Sequence, residues 1–121
     1  MSTKMNILFI KDEKTEFDSG SKMFTELFNK VDIAPDKHKA LKLIFTNNYD
    51  IIINDMSTNP IDGISFMKQI KDFKPKQNIV ALAAPKDEDK IGGLIETGIH
   101  IFVLTSADLD QALEAIAQMT A

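Results

Sequence analysis

Two hydrophobic periods alternate along the chain. Ile7-Leu8-Phe9-Ile10 is a short unbroken apolar run that ends in Lys11-Asp12-Glu13. Such a run is expected of a strand buried on both faces with a polar carboxyl end. Phe17, Met23, Phe24, Leu27 and Phe28 then fall near helical spacing through residues 15–29, and a short strand is expected at Val31–Ala34. Ala40, Leu41, Ile44 and Phe45 form the apolar stripe of a second helix, which Asn47-Asn48 ends. The clearest strand is Asp50-Ile51-Ile52-Ile53-Asn54, β-branched and bounded by polar residues. It feeds Asp55 and a turn-rich loop, Ser57 to Gly63.

A third helix carries Ile64, Met67, Ile70 and Phe73, and Lys74-Pro75 closes it. Ile79–Ala83 reads as the fourth strand. Residues 87–97 read as a helix with Ile91, Leu94 and Ile95 inward and Gly98 as its cap. Ile101–Leu104 is the fifth strand. The last helix starts at Asp108, with Gln111 as its capping partner, and buries Leu109, Ala112, Leu113 and Ile116. Five strands alternating with five helices predict a parallel sheet covered on both faces. Right-handed crossovers make it doubly wound, with ligands outside the carboxyl ends of the strands at the switch point.

Composition narrows the function. A chain of 121 residues buries about two-thirds of its unfolded surface, enough for one layered core, so residues 1–121 are read as one domain. A net charge of −4 offers no basic field for nucleic acid or an anionic membrane. Lys37, Lys39 and Lys42 read as a solvated helix face, and His38 and His100 as surface residues. The chain has no cysteine, which excludes a disulfide framework and a thiolate metal site. No apolar run is long enough for a signal-peptide core or a membrane span, so a cytoplasmic setting is expected.

The chemistry-bearing residues gather after the strands: Asp12 and Glu13, Asp55, Ala83-Ala84, and Thr105-Ser106. Carboxylates converging from strands one and three suit a hard cation such as Mg2+. A carboxylate is also a nucleophile toward phosphorus, forming an acyl phosphate. The plainer alternative is that strand-end acids cap helices or face water.

The segment Tyr49-Asp50-Ile51-Ile52-Ile53-Asn54-Asp55, with Asp62-Gly63 ending eight residues after Asp55, resembles strand three of response-regulator receiver domains. Ile7–Ile10 with Asp12, Ala40-Leu41, and Gly98 before Phe102 fall at the family's spacings. The resemblance covers essentially the whole chain and implies a flavodoxin-like receiver fold with strand order 2-1-3-4-5. It implies that Asp55 accepts a phosphoryl group from a histidine kinase or phosphotransfer protein. It further implies that Mg2+ is held by Asp12, Asp55 and the backbone carbonyl of Ser57, with Glu13 joining if the first strand runs one residue further. Phe102 resembles the switch aromatic, although its spacing suits an ordinary core residue equally. Signalling is expected through the face made by the helix at 87–97, strand five and the last helix. No classical turnover is expected beyond phosphorylation and dephosphorylation of Asp55.

Three positions depart from the family. Lys11 stands where the first of two acids is usual, Ala83 where a Thr or Ser holds the phosphoryl group, and Thr105-Ser106 where a Lys-Pro pair is usual. Losing the lysine removes a charge-assisted bond of about 1.5–3 kcal/mol, and losing the hydroxyl about 0.5–1.5 kcal/mol. Lys86 and the Thr105 hydroxyl are candidates to substitute. Lys11 either pairs with Asp55 and weakens Mg2+ binding, or points outward.

These departures favour the alternative of a pseudo-receiver, a protein-interaction module that works without phosphorylation. A flavodoxin-type carrier would need a phosphate-cradling loop in place of Lys11-Asp12-Glu13-Lys14. A haloacid-dehalogenase phosphatase would need an aspartate where Ser57 stands. With no second domain, a stand-alone protein that signals by protein contact is expected; its oligomeric state is left open.

Overall fold

The computed structural model describes residues 4–11, 22–56, 60–92, 98–105 and 108–119. The five strands are β1 (Asn6–Ile10), β2 (Lys30–Ala34), β3 (Ile51–Asp55), β4 (Asn78–Ala83) and β5 (His100–Val103). They form one sheet in the order β2-β1-β3-β4-β5, every pairing parallel. Among the described residues the α-helices are α1 (Lys22–Leu27), α2 (Lys37–Thr46), α3 (Pro60–Phe73) and α4, the final helix (Leu109–Ala117). The expected doubly wound fold and strand order are borne out.

Strand residues alternate between two cores because successive side chains point to opposite faces. Ile7, Phe9, Ile51, Ile53, Val80 and Leu82 pack under α1 and α4, against Phe24, Leu109, Leu113 and Ile116. Leu8, Ile10, Ile52, Ile79 and Ala81 pack under α2 and α3, against Ala40, Ile44, Met67 and Ile70. Burial on both faces is why β1 and β3 read as continuous apolar runs.

Several expected bounds shift. β3 includes Asp55 as its last residue, one step beyond the expected end. α3 begins at Pro60, so Asp62 and Gly63, read as loop, lie in its first turn. Proline at the start of a helix loses only an N–H that has no partner there, and its fixed φ suits the turn. Segment 85–90 is a 3-10 helix rather than the start of an α-helix at 87. It opens on Pro85 and carries no apolar residue that an α-helical stripe would bury. Leu94 and Ile95 lie outside the described residues. Gly98 has φ +78°, in the left-handed region that glycine favours; the helix end it is expected to cap lies outside the described residues. β5 starts at His100 and ends at Val103, one residue earlier than expected.

The final helix buries the four predicted residues, but Asp108 makes no side-chain cap bond at its start. Its Oδ2 instead accepts a hydrogen bond from Thr105 Oγ1 at 3.1 Å, so the expected pairing with Gln111 does not form. Phe45, assigned to the buried stripe of α2, is 69% exposed and stacks on Phe73 with ring centroids 5.2 Å apart. It sits at the rim where α2 passes α3, a place that helical period alone does not separate from the core.

Candidate functional site

The order β2-β1-β3 means that chain leaves β1 and β3 toward opposite faces, which opens a crevice at their carboxyl ends. A cavity of about 290 Å³ occupies that place. Ile10 and Lys11 line it from the end of β1, Asn54 and Asp55 from β3, and Asp36, Lys37 and His38 from the start of α2. Asp62, Gly63 and Phe66 of α3 complete the wall.

Local sequence explains each placement. Lys11 N–H donates to Ala34 O at 3.0 Å, which extends the β1–β2 ladder and holds Lys11 at the strand end. Asp36 caps α2, its Oδ1 accepting from the Lys39 N–H at 2.8 Å, which fixes where the helix begins. Asn54 is buried and its Nδ2 reaches Gly63 O at 3.4 Å. Gly63 lets α3 approach β3: a Cβ there would stand 2.8 Å from the Cβ of Met56.

Asp55 is half-buried and Lys11 likewise. Across the mouth, Lys37 Nζ lies 2.9 Å from Asp62 Oδ1, an ion pair with both side chains about half exposed. Among the described lining residues two lysines, Lys11 and Lys37, stand with three aspartates, Asp36, Asp55 and Asp62. Among the described residues no three His, Cys, Asp or Glu side chains are grouped to share a metal ion. A hard carboxylate oxygen at Asp55 suits Mg2+, and Lys11 lines the same pocket.

Of the residues singled out from sequence, Lys11 and Asp55 come together here. Asp12, Glu13 and Ser57 lie outside the described residues. Ala83 and Thr105 are not among the lining residues. Ala83, the last residue of β4, is fully buried in the same core cluster as Ile10, Met56 and Met67. Thr105 is exposed, with its hydroxyl engaged by Asp108, so it does not substitute for the family's lysine in this conformation. Lys86 is exposed on the 3-10 segment. Phe102 is half-buried against the α1–α4 core, and with Leu104, Asp108 and Ala112 it lines a separate open hollow of about 270 Å³.

Sequence alone places Lys37 on a solvated helix face and Asp62 in the loop before α3, and does not pair these two residues 25 positions apart. They meet because α2 and α3 start at the same end of β2 and β3, the two strands that flank β1. A larger open cleft of about 520 Å³ lies at the opposite end of the sheet, lined by Tyr49, Lys74, Pro75 and Gln77 among others. It is remote from the switch point.

Comparison with known proteins agrees with this architecture. A family model for the response regulator receiver domain matches residues 7–117. The chain is 26% identical over 117 residues to the transcriptional regulatory protein DltR of Streptococcus agalactiae, covering 96% of this chain and 52% of that protein. It is 24% identical over 116 residues to the transcriptional regulatory protein DegU of Brevibacillus brevis, covering 93% and 49%. The chain thus spans about half the length of the curated relatives it matches.

Among solved structures, the Francisella response regulator 1452 receiver domain superposes with a TM-score of 0.73 at 23% identity, covering 97% of this chain and 99% of that one. The isolated REC domain of RcsB from Salmonella enterica serovar Typhimurium, solved with the phosphomimetic BeF3-, gives 0.75 at 21% identity over 97% and 91%. With the sheet order, the switch-point pocket and a family match over nearly its whole length, the chain belongs to the response regulator receiver domains of two-component systems.

Proposed function

We propose that residues 1–121 act as one phosphorelay receiver in which Asp55 accepts a phosphoryl group from a histidine kinase or phosphotransfer protein. The observation that carries this reading is the position of Asp55. Its carboxylate ends β3 at the one crevice where a doubly wound sheet presents its ligand site. An Asp55 oxygen attacks phosphorus, the N–P bond of the donor phosphohistidine breaks as the O–P bond forms, and the departing imidazole nitrogen takes up a proton. Positioning and charge neutralisation carry most of such a transfer.

Asp12, Asp55 and the carbonyl of Ser57 would hold Mg2+, with Glu13 as a further oxygen donor. The bound ion would offset the charge of the phosphoryl oxygens. Lys11 shares that task from the wall of the pocket, which lowers the demand for the cation and weakens its binding. The output is protein contact in the cytoplasm, through the surface around β5 and α4 where Phe102 lies.

A second reading rests on a specific observation. The Thr105 hydroxyl is committed to Asp108 and Ala83 has no hydroxyl, so two of the usual phosphoryl contacts are missing. A pseudo-receiver that binds its partner without phosphorylation accommodates this. Intact-mass measurement after incubation with acetyl phosphate and Mg2+ separates the two. The receiver reading expects one added phosphoryl group, absent from Asp55→Asn; an unmodified parent chain favours the pseudo-receiver.

A further inference from the structure

We infer that Lys37 is the cation that receives the phosphoryl group on Asp55, exchanging its partner Asp62 for the phosphoryl oxygens. The inference rests on the reading of Asp55 as phosphoacceptor and deepens it.

A receiver that has lost the lysine after β5 still needs positive charge at the acyl phosphate, which brings roughly 1.5 to 2 negative charges. Among the described residues the wall of this pocket supplies two ammonium groups, and both come from the β1–α2 side. Lys39 and Lys42 lie on the same helix as Lys37 but are exposed and do not line the pocket. The ammonium of Lys37 is different. Asp62, itself a pocket-lining residue of α3, accepts its hydrogen bond at 2.9 Å, and this holds the charge over the mouth instead of in bulk solvent.

The pair is solvent-exposed, so opening it loses little. A phosphoryl dianion inside the crevice offers shorter, stronger charge-assisted bonds than the exposed carboxylate does. The exchange therefore runs toward the phosphoryl group. It also unties the first turn of α2 from that of α3, giving phosphorylation a readout on the α2–α3 side of the domain.

The test measures beryllofluoride affinity in the presence of Mg2+ by amide NMR of the full chain. The variants are Lys37→Met, Lys37→Arg, Asp62→Asn and the double variant Lys37→Met/Asp62→Asn. Lys37→Met is expected to weaken binding by about tenfold to a hundredfold, the loss of one hydrogen bond to a charged group, and Lys37→Arg to keep it within about threefold. Asp62→Asn is expected to tighten binding, and that gain should vanish when Lys37 is already Met, since the two residues act as a coupled pair. In the parent, beryllofluoride should also shift the amides of residues 37–41 and 62–66.

If the parent binds but Lys37→Met binds equally well, the inference falls while Asp55 remains the acceptor. If Asp62→Asn tightens binding by the same factor in both backgrounds, simple removal of a negative charge explains it and the exchange is wrong. If the parent shows no binding at any concentration, the acceptor reading fails, and the inference with it. Thermal midpoints of all four variants within a few degrees of the parent show that exposed positions, not the fold, were altered.

Discussion

Gly63 of α3 lies so close to Met56 that a methyl group on its Cα would stand 2.8 Å from the Met56 Cβ. The obstructing atom is a Cβ fixed to the backbone, so no side-chain rotation relieves the contact. In an exposed helix Gly→Ala would gain about 1 kcal/mol. Here overpacking of about 1–3 kcal/mol opposes that gain, and Gly63→Ala is expected to lower stability by up to about 2 kcal/mol in urea unfolding. A stabilised variant would mean that α3 moves freely against β3.

Tyr49 donates its hydroxyl to Asp32 Oδ2 at 2.6 Å, joining the chain two residues before β3 to the middle of β2. Burial raises its pKa first, and the hydrogen bond and charge of Asp32 add to the rise. An unfolded tyrosine ionises near pH 10 while the folded one stays protonated. The contribution to stability is therefore complete below about pH 10 and is lost as pH climbs from there through the raised folded value. Because the chain has a single tyrosine, phenolate absorbance reads this group alone, and its midpoint should lie above that of free tyrosine. Tyr49→Phe should lower neutral-pH stability by about 1–2 kcal/mol and remove this part of the alkaline loss.

Two phenylalanines of similar appearance in the sequence should behave differently. Phe24 is buried and stacks on Phe9 at 5.2 Å, whereas Phe45 is mostly exposed and stacks on Phe73 at the same distance. Phe24→Ala is expected to lower stability by about 3–5 kcal/mol. Phe45→Ala should lower it by at most about 1.5 kcal/mol, the value of a stacked pair. Equal losses in thermal or urea unfolding would contradict the two-core description.

That contrast also marks the limit of the sequence reading. Continuous apolar runs identified β1 and β3 because both faces of those strands are buried, and Leu109, Ala112, Leu113 and Ile116 identified the buried face of the final helix. Phe45 was misassigned because helical period gives an angle around the axis but not the depth of the neighbouring helix. Pro60-Ile61-Asp62-Gly63 has turn chemistry and equally suits the first turn of a helix; the packing of Gly63 on Met56 decides for the helix. Asp108 and Gln111 have the spacing of a capping pair, but the Thr105 hydroxyl reaches Asp108. The switch-point pocket was legible through Asp55 and the strand order. The Lys37–Asp62 pair was not, since only the fold brings those residues together.

Thr105→Lys should strengthen binding of a phosphoryl mimic by restoring a cation after β5, and it releases Asp108 from its present bond. A gain of at least about tenfold in beryllofluoride affinity is expected from one added charge-assisted contact. Adding Ala83→Thr places a hydroxyl at a position that is fully buried now. Its stability loss of about 1–3 kcal/mol should therefore appear unless the mimic is bound and engages the hydroxyl. Unchanged affinity in Thr105→Lys would show that position 105 does not face the phosphoryl site.

The most direct test of Asp55 as phosphoacceptor is amide NMR of the full chain with Mg2+ alone and then with Mg2+ and beryllofluoride, against Asp55→Asn. Shifts that start around Asp55 and Lys11, reach Phe102, and disappear in Asp55→Asn are the predicted result. Spectra that do not respond to beryllofluoride, or that respond equally in Asp55→Asn, would contradict it.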